Sequence, residues 1–428
     1  MDNRASPSRP IPRHHTRGED YITFKVTQAE RGKKGSSFRF DVTTNLPNFK
    51  RTQHSAVERT YSELGKLRAH LVRTYPGVVI QALPKETAHT PTSVNANAKQ
   101  TVVHIGPTAQ AAGPTHQFNS TSFEEELLVK DAVQLFLTRV ASHPVLRNDY
   151  ELREFVETPF LFNPSTLPTE PSKMSTTFLP FTSGRKSRHS FPQALHDPQE
   201  IGTLEVGSEP WYDTVGSQLT EYETDLGPTR KAAARVGRKR KVLAELLQEL
   251  AMKNVAISVT ESDEELSFAL RRTGNLFHRV SEIQQLQAEH ASMRMDYFLD
   301  WYERSAECVL DAITNRKQMH TEFDHLNKRT ERRRQNIMAL KSASSIHTER
   351  ADQALEEYEQ AKSEQSTQSQ FLEVVNDELP CSIKEFENQR VQDTLLWLRN
   401  LSKRHLEFEK QQLAELERIL QLTPQTHS

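Results

Sequence analysis

Apolar positions first alternate with polar ones and later recur every three or four residues, and this change of period divides the chain. Ile22, Phe24 and Val26 alternate with Tyr21, Thr23, Lys25 and Thr27; turn residues follow from Gly32 to Ser36, and Phe38, Phe40 and Val42 resume the alternation. A period of two puts successive side chains on opposite faces of a sheet, so the two runs predict a β-hairpin or meander with one buried face. A third, weaker strand is expected from His54 to Thr60, and Leu64, Leu67 and Leu71 predict a helix beginning near Ser62. Residues 86–122 lose all periodicity and read as a long insertion, functional or disordered. From Phe123 the positions Leu128, Ala132, Leu135, Phe136 and Val140 predict a helix that His143-Pro144 ends, with a further short helix from Leu146 to Val156. Residues 20–162 therefore predict an α+β domain, a three-stranded antiparallel sheet followed by helices.

Prolines 164, 168, 171, 180, 192 and 198 among Ser and Thr make residues 163–207 a linker without a core. Within it Arg185, Lys186 and Arg188 precede Ser190, a kinase-type motif short enough to arise by chance. Residues 208–422 return to helical period and predict three helices, parted near 255–263 and 342–347, with 423–428 as a tail. Apolar seams run from Trp211 through Leu226, Val236, Leu243 and Leu250; from Leu266 to Leu340; and from Phe371 through Leu379, Phe386, Leu398 and Phe408 to Leu420. A 75-residue helix is about 110 Å long and cannot hide such a seam alone. An all-α, elongated three-helix coiled coil that pairs with a second copy or a relative would bury it in a six-helix dimer. On periodicity alone an ordinary coiled coil or spectrin-like bundle fits equally.

Charge separates these readings only locally, because 55 basic and 57 acidic residues leave a net charge of −2. Between Pro228 and Ala244 stand seven basic residues, Arg230, Lys231, Arg235, Arg238, Lys239, Arg240 and Lys241, and no acidic one. A second cluster, Lys328, Arg329, Arg332, Arg333 and Arg334, precedes the last helical break. Each cation close to an anionic bilayer contributes about 1 kcal/mol, so the clusters are candidate membrane-facing patches; a solvated face and nucleic-acid binding are the competing readings, and the latter lacks interleaved aromatics. The hydrophobic fraction of 35% is low and suits exposed amphipathic helices. Cys308 and Cys381, the only cysteines, fit a reducing compartment without disulfides. Residues 1–19, rich in Pro, Arg, His and Ser, read as a disordered arm without a signal peptide, and no run is apolar enough to span a bilayer. No Gly-rich phosphate loop, His-Glu-x-x-His, Cys-x-x-Cys or Gly-x-Ser-x-Gly occurs, and the scattered histidines read as tail or helix-surface residues. Catalytic residues, metal ligands and cofactors are expected to be absent.

Specificity comes from short motifs. Arg59-Thr60-Tyr61-Ser62-Glu63-Leu64 at the strand-to-helix junction resembles the Arg-Arg-Tyr/Phe-Ser-Asp/Glu-Phe signature of PX domains. Leu83-Pro84-Lys85 resembles their Leu-Pro-x-Lys turn, and Val133, Phe136 and Leu137 with His143-Pro144-Val145-Leu146 resemble their closing helices. A PX domain, a linker and a long three-helix module is the arrangement of the PX-BAR sorting nexins. That resemblance implies an endosomal coat of retromer type that returns receptors towards the Golgi, peripheral on the cytoplasmic side of the membrane. It also implies a heterodimer with a second PX-BAR sorting nexin and contact with retromer cargo-recognition subunits. The implied head-group site comprises Arg59, Tyr61, Lys85 and Lys130. Aligned on the motifs, however, the family's 3-phosphate arginine falls on Thr60 and its hydroxyl-binding arginine on Val129, so phosphoinositide binding, with phosphatidylinositol 3-phosphate the candidate, is expected to be weak or non-selective. A scaffold whose PX-like fold binds proteins and whose coiled coil does not bend membranes is the alternative.

Overall fold

The computed structural model describes residues 20–32, 35–86, 121–164, 204–342 and 348–422. The expected arm, the tail, the Arg185–Ser190 motif and most of the insertion and linker lie outside the described residues. Two compact units form, Met1–Leu71 with Val129–Lys173 and Val72–Leu128 with Met174–Ser428.

In the first unit, β1 (Ile22–Gly32), β2 (Gly35–Thr44) and β3 (Gln53–Thr60) form an antiparallel sheet in that order. The alternation holds: Ile22, Phe24 and Val26 on β1 and Phe38, Phe40 and Val42 on β2 are buried, with Phe24 opposite Val42 and Val26 opposite Phe40. A register shift between Val26 and Gln28 leaves Thr27 as a bulge. Gln134 on α2 (Thr121–Ser142) acts as a substitute strand at the β1 edge: Val26 N–H donates to its Oε1 (2.6 Å), and its Nε2 donates to Phe24 C=O (2.7 Å). A paired edge cannot recruit another chain there. After α1 (Tyr61–Thr74), the expected 146–156 helix is split into a 3-10 turn, Leu146–Asn148, and α3 (Tyr150–Glu157). The break is Asp149, whose extended backbone leaves the helix while its carboxylate caps Leu152 N–H (2.9 Å) and meets His70 Nε2 (3.1 Å). Phe155 of α3 stacks on Phe40 of the sheet (5.9 Å), closing the core.

The second unit is built on α4 (Glu209–Thr260), α5 (Glu264–Ser342) and α6 (Thr348–Leu422). Ser208 caps α4 and Pro210 occupies its first turn. Trp211, Tyr212, Val215, Leu219 and Leu226 bury large side chains at its N-terminal end. Beyond Pro228 the contact with α5 changes character. Gly237, Ala244, Ala251 and Ser258, seven residues apart, are buried on α4, and Gly274, Ser281 and Ala288, again seven apart, on α5. Ser281 Oγ donates to Ala244 C=O (2.6 Å) and Ser267 Oγ to Ser258 C=O (2.5 Å), which requires nearly touching backbones. The larger neighbours Val236, Leu243, Leu250 and Ile257, one position earlier and hence about 100° around the helix, are exposed. The expected α4 seam is thus displaced by one residue over this stretch. A Cβ on Gly274 would meet Val255 Cγ2 at 2.7 Å and Ala251 C=O at 2.9 Å. Gly274→Ala is therefore expected to destabilise the unit by about 1–2 kcal/mol in denaturant unfolding, since overpacking against a backbone oxygen outweighs the helix-propensity gain of about 1 kcal/mol.

The α6 seam also divides. Leu372, Val375, Leu379, Ile383 and Phe386 are buried, whereas Leu395, Leu398, Leu413, Leu416 and Leu420 are exposed, Phe408 being the one large apolar residue buried after position 390 among the described residues. There the α5–α6 contact combines the stacked Phe298–Trp397 pair (4.6 Å) with polar links: Gln287 Nε2 lies 3.0 Å from His405 Nδ1 and donates to Glu409 Oε1 (3.3 Å), and Gln284 Nε2 donates to Gln412 Oε1 (3.1 Å). Among the described residues no helix is long and apolar enough to cross a membrane.

Candidate functional site

The β3–α1 junction, which carries the expected head-group motif, is a reciprocal helix cap. Thr60 Oγ1 accepts from Glu63 N–H (3.3 Å) while Glu63 Oε2 accepts from Thr60 N–H (2.8 Å). The residue at the family's 3-phosphate position thus starts the helix. Arg59, buried, donates from Nε to Phe155 C=O (2.8 Å), from Nη1 to Glu58 C=O (2.7 Å) and from Nη2 to Thr158 C=O. Its charge lies over the Phe155 ring at 5.4 Å. Burial lowers its pKa, and Glu63 partly restores it. Glu63 is buried too, which by itself raises its pKa; the Thr60 and Phe162 N–H groups, the Thr60 hydroxyl and Arg59 reverse that and hold it below the ordinary glutamate value. Tyr61 is half-buried beside this pair, Lys130 is half-buried on α2, and Val129 belongs to the core.

Lys85 lies in the second unit, at the end of a strap of residues 75–86. Val78, Ile80, Ala82 and Leu83 of the strap are buried. Its carbonyls are read by α5: Trp301 Nε1 donates to Ala82 C=O (2.8 Å), Arg304 Nη1 to Leu83 C=O (2.7 Å) and Tyr297 Oη to Lys85 C=O (3.1 Å). On α6, Ser382 Oγ accepts from Val79 N–H (2.7 Å) and Gln389 Oε1 from Gln81 Nε2 (3.0 Å). The Lys85 ammonium rests on Asp300 Oδ1 (2.8 Å), which also takes Arg230 Nη1 (3.0 Å), while Asp300 Oδ2 takes Arg304 Nε (2.9 Å). Arg230 further reaches Asp296 (3.0 Å) and Glu303 (2.6 Å). Burial alone would lower its pKa, but Glu303, Asp296 and Asp300 together raise it.

The basic clusters divide by partner. Arg230 belongs to the Asp300 network, Lys241 pairs with Glu289 (3.2 Å), and Arg240 is half-buried near His405, whose pKa is lowered by burial and then by that charge. Arg329 pairs with Glu364 (3.5 Å), Arg333 donates to Glu357 C=O (2.6 Å), and Arg334 pairs with Glu331 (3.0 Å). Lys231, Arg235, Arg238 and Lys239 are exposed and share one side of α4; Lys328 and Arg332 are exposed one turn apart on α5. These six have no acidic partner among the described residues. Sequence reasoning treated all twelve alike; it missed Asp300 and Arg304, which carry no motif of their own, and read Trp301 only as part of the α5 apolar seam.

A family profile described as "Vps5 C terminal like" matches residues 205–421, and the PX domain profile matches residues 47–159. Vacuolar protein sorting-associated protein 17 of Schizosaccharomyces pombe is 21% identical over 80% of this chain and 54% of its own length. Its Saccharomyces cerevisiae counterpart is 23% identical over 92% of this chain and 63% of its own. The chain thus spans less than two thirds of these relatives. Sorting nexin 1 of Arabidopsis thaliana is 21% identical, covering 83% of this chain and 80% of the relative. The SNX-BAR Mvp1 tetramer structure aligns over 93% of this chain and 99% of that one, at 14% identity and a TM-score of 0.48. With both profiles matched in order along one chain, the protein belongs to the PX-BAR sorting nexins, a family of non-enzymatic trafficking adaptors.

Proposed function

We propose that this chain is a peripheral subunit of a retromer-type coat acting in endosome-to-Golgi transport. In this reading its uncovered helical face pairs with a second PX-BAR chain, retromer cargo-recognition subunits join the assembly, and the paired helices bend an endosomal membrane. The observation that carries the reading is the set of six exposed cations left without acidic partners among the described residues. A salt-bridged cation has little left to offer a lipid phosphate, so the bilayer contact falls to Lys231, Arg235, Arg238 and Lys239 on α4 and to Lys328 and Arg332 on α5. The phosphoinositide pocket contributes weakly. Arg59 is committed to three carbonyls and Lys85 to Asp300, and avidity between paired chains makes up the difference.

The test is vesicle sedimentation with phosphatidylcholine–phosphatidylserine vesicles, using the chain with a co-expressed PX-BAR partner. Lys231→Ala with Arg235→Ala is expected to weaken binding about thirtyfold, from about 2 kcal/mol of lost attraction, and the loss should shrink as salt rises. Lys241→Ala, which removes an already paired cation, should change it little. Equal losses from both would sink the assignment; intact pairing without vesicle binding or tubulation would support the scaffold alternative.

A further inference from the structure

Among the described residues of the first unit, the most exposed large apolar pair sits in a turn held at both ends. After α3 the chain runs Thr158-Pro159-Phe160-Leu161-Phe162. Arg59 fixes the turn on one side, its Nη2 on Thr158 C=O, and Glu63 Oε1 fixes the other, accepting from Phe162 N–H (2.6 Å). Phe162 is buried edge-on against Phe155 at 5.1 Å. Between these anchors Phe160 is 78% and Leu161 72% exposed. A slack loop would fold two such side chains inward, since covering each is worth about 1.5–3 kcal/mol. Here two buried charged groups and the fixed φ of Pro159 hold them outward.

We infer that Phe160 and Leu161 form a wedge that enters the boundary between head groups and acyl chains of a bilayer. Three observations favour lipid as the occupant. Arg59 and Glu63, the two anchors, lie two residues on either side of Tyr61, so the pair shares one edge of the unit with the head-group motif. At the base of the turn Lys50 is tied to Glu157, its N–H donating to Oε1 (2.5 Å) and its Nζ 3.6 Å from Oε2, while Arg51 beside it is exposed and has no acidic partner among the described residues. Large apolar residues beside an unpaired cation are the composition of an interfacial anchor, and Arg51 supplies that cation. Two side chains are also far too little surface for a stable protein interface, which needs about 1,000 Å² or more. The wedge supplies depth without stereochemical choice, and so fits a unit whose pocket arginines are replaced or committed.

The inference rests on the membrane role proposed above, and the test separates the two. In the full chain with Cys308→Ser and Cys381→Ser, Leu161→Cys carries an environment-sensitive fluorophore, and phosphatidylcholine–phosphatidylserine vesicles with or without brominated acyl chains are added. The expected result is a blue shift on vesicle addition with quenching by the brominated lipid. Unlabelled Phe160→Ser with Leu161→Ser should bind the vesicles about tenfold more weakly at unchanged thermal stability, because both side chains are solvent-facing already. Sedimentation with vesicles while the label stays in water would overturn the wedge and leave the membrane role standing. A label shielded before vesicles are added would assign the turn to a protein contact. Failure of the chain and its partner to bind vesicles at all would remove both.

Discussion

Replacing Arg59 by Ala is expected to cost the first unit about 3–5 kcal/mol, about a third or more of the stability of a domain in the middle of the usual range of about 5–15 kcal/mol and most or all of it at the lower end. The reason is arithmetic on donors. Three carbonyls, of Glu58, Phe155 and Thr158, lose their guanidinium partner, and Glu63 keeps a buried negative charge with its nearest cation gone. Arg59→Lys should recover only part of the loss, because one ammonium cannot reach three carbonyls as a planar fork does. Glu63 supplies a second readout. Its folded pKa is depressed, so the unfolded chain binds more protons in the acid range, and its stabilisation is complete above the unfolded value of about 4.3 and lost as pH falls through the folded one. Glu63→Gln should flatten that acid dependence. Denaturant unfolding followed through the aromatic signal of the unit measures each of these. A melting temperature unchanged in Arg59→Ala would release the guanidinium for a lipid phosphate and overturn the clamp.

The sequence states where Arg59 is but not what it points at, because Phe155 lies 96 residues away and no periodicity connects them. What was legible had a period. Ile22, Phe24, Val26, Phe38, Phe40 and Val42 alternate in the sequence and are all buried in the sheet. The break at Asp149 was legible in kind, an Asp before Tyr150-Glu151, though a continuous helix also fitted the apolar spacing. The displaced α4 seam is more instructive. Gly237, Ala244, Ala251 and Ser258 recur at intervals of seven in plain view, but small side chains weigh little when only large apolar residues are counted, and Val236, Leu243 and Leu250 draw the eye to the wrong side of the helix. On α6 the apolar period is the same before and after position 390, yet in the second stretch Phe408 is buried and Trp397 stacks on Phe298 while Leu395, Leu398, Leu413, Leu416 and Leu420 stay exposed, since spacing does not reveal what an apolar face meets. The cationic clusters show the same limit: composition places twelve charges, and only six of them are both exposed and without an acidic partner among the described residues.

Asp300→Ala is expected to be the second severe substitution, at about 3 kcal/mol, and the comparison with Lys85→Ala shows why. One carboxylate with little solvent access receives Lys85, Arg230 and Arg304. Without it, Arg230 still has Asp296 and Glu303, but Lys85 loses its ion pair and Arg304 its carboxylate while continuing to hold Leu83 C=O. Removing the shared partner strands cations that folding has already desolvated, whereas removing Lys85, the more solvent-exposed member, leaves Asp300 with two guanidinium partners and should cost about 1 kcal/mol or less. The loss should be local. Amide exchange in residues 75–86 should accelerate strongly in Asp300→Ala and slightly in Lys85→Ala, with α5 protected in both by its packing against α4 and α6. The opposite pattern, Lys85→Ala leaving exchange untouched but weakening vesicle binding as much as loss of a stripe cation, would return Lys85 to the head-group site. On the geometry observed, the carboxylate that ties down the strap also neutralises the lysine of its Leu-Pro-Lys turn, so anchoring the strap and reading a lipid phosphate compete for one ammonium group.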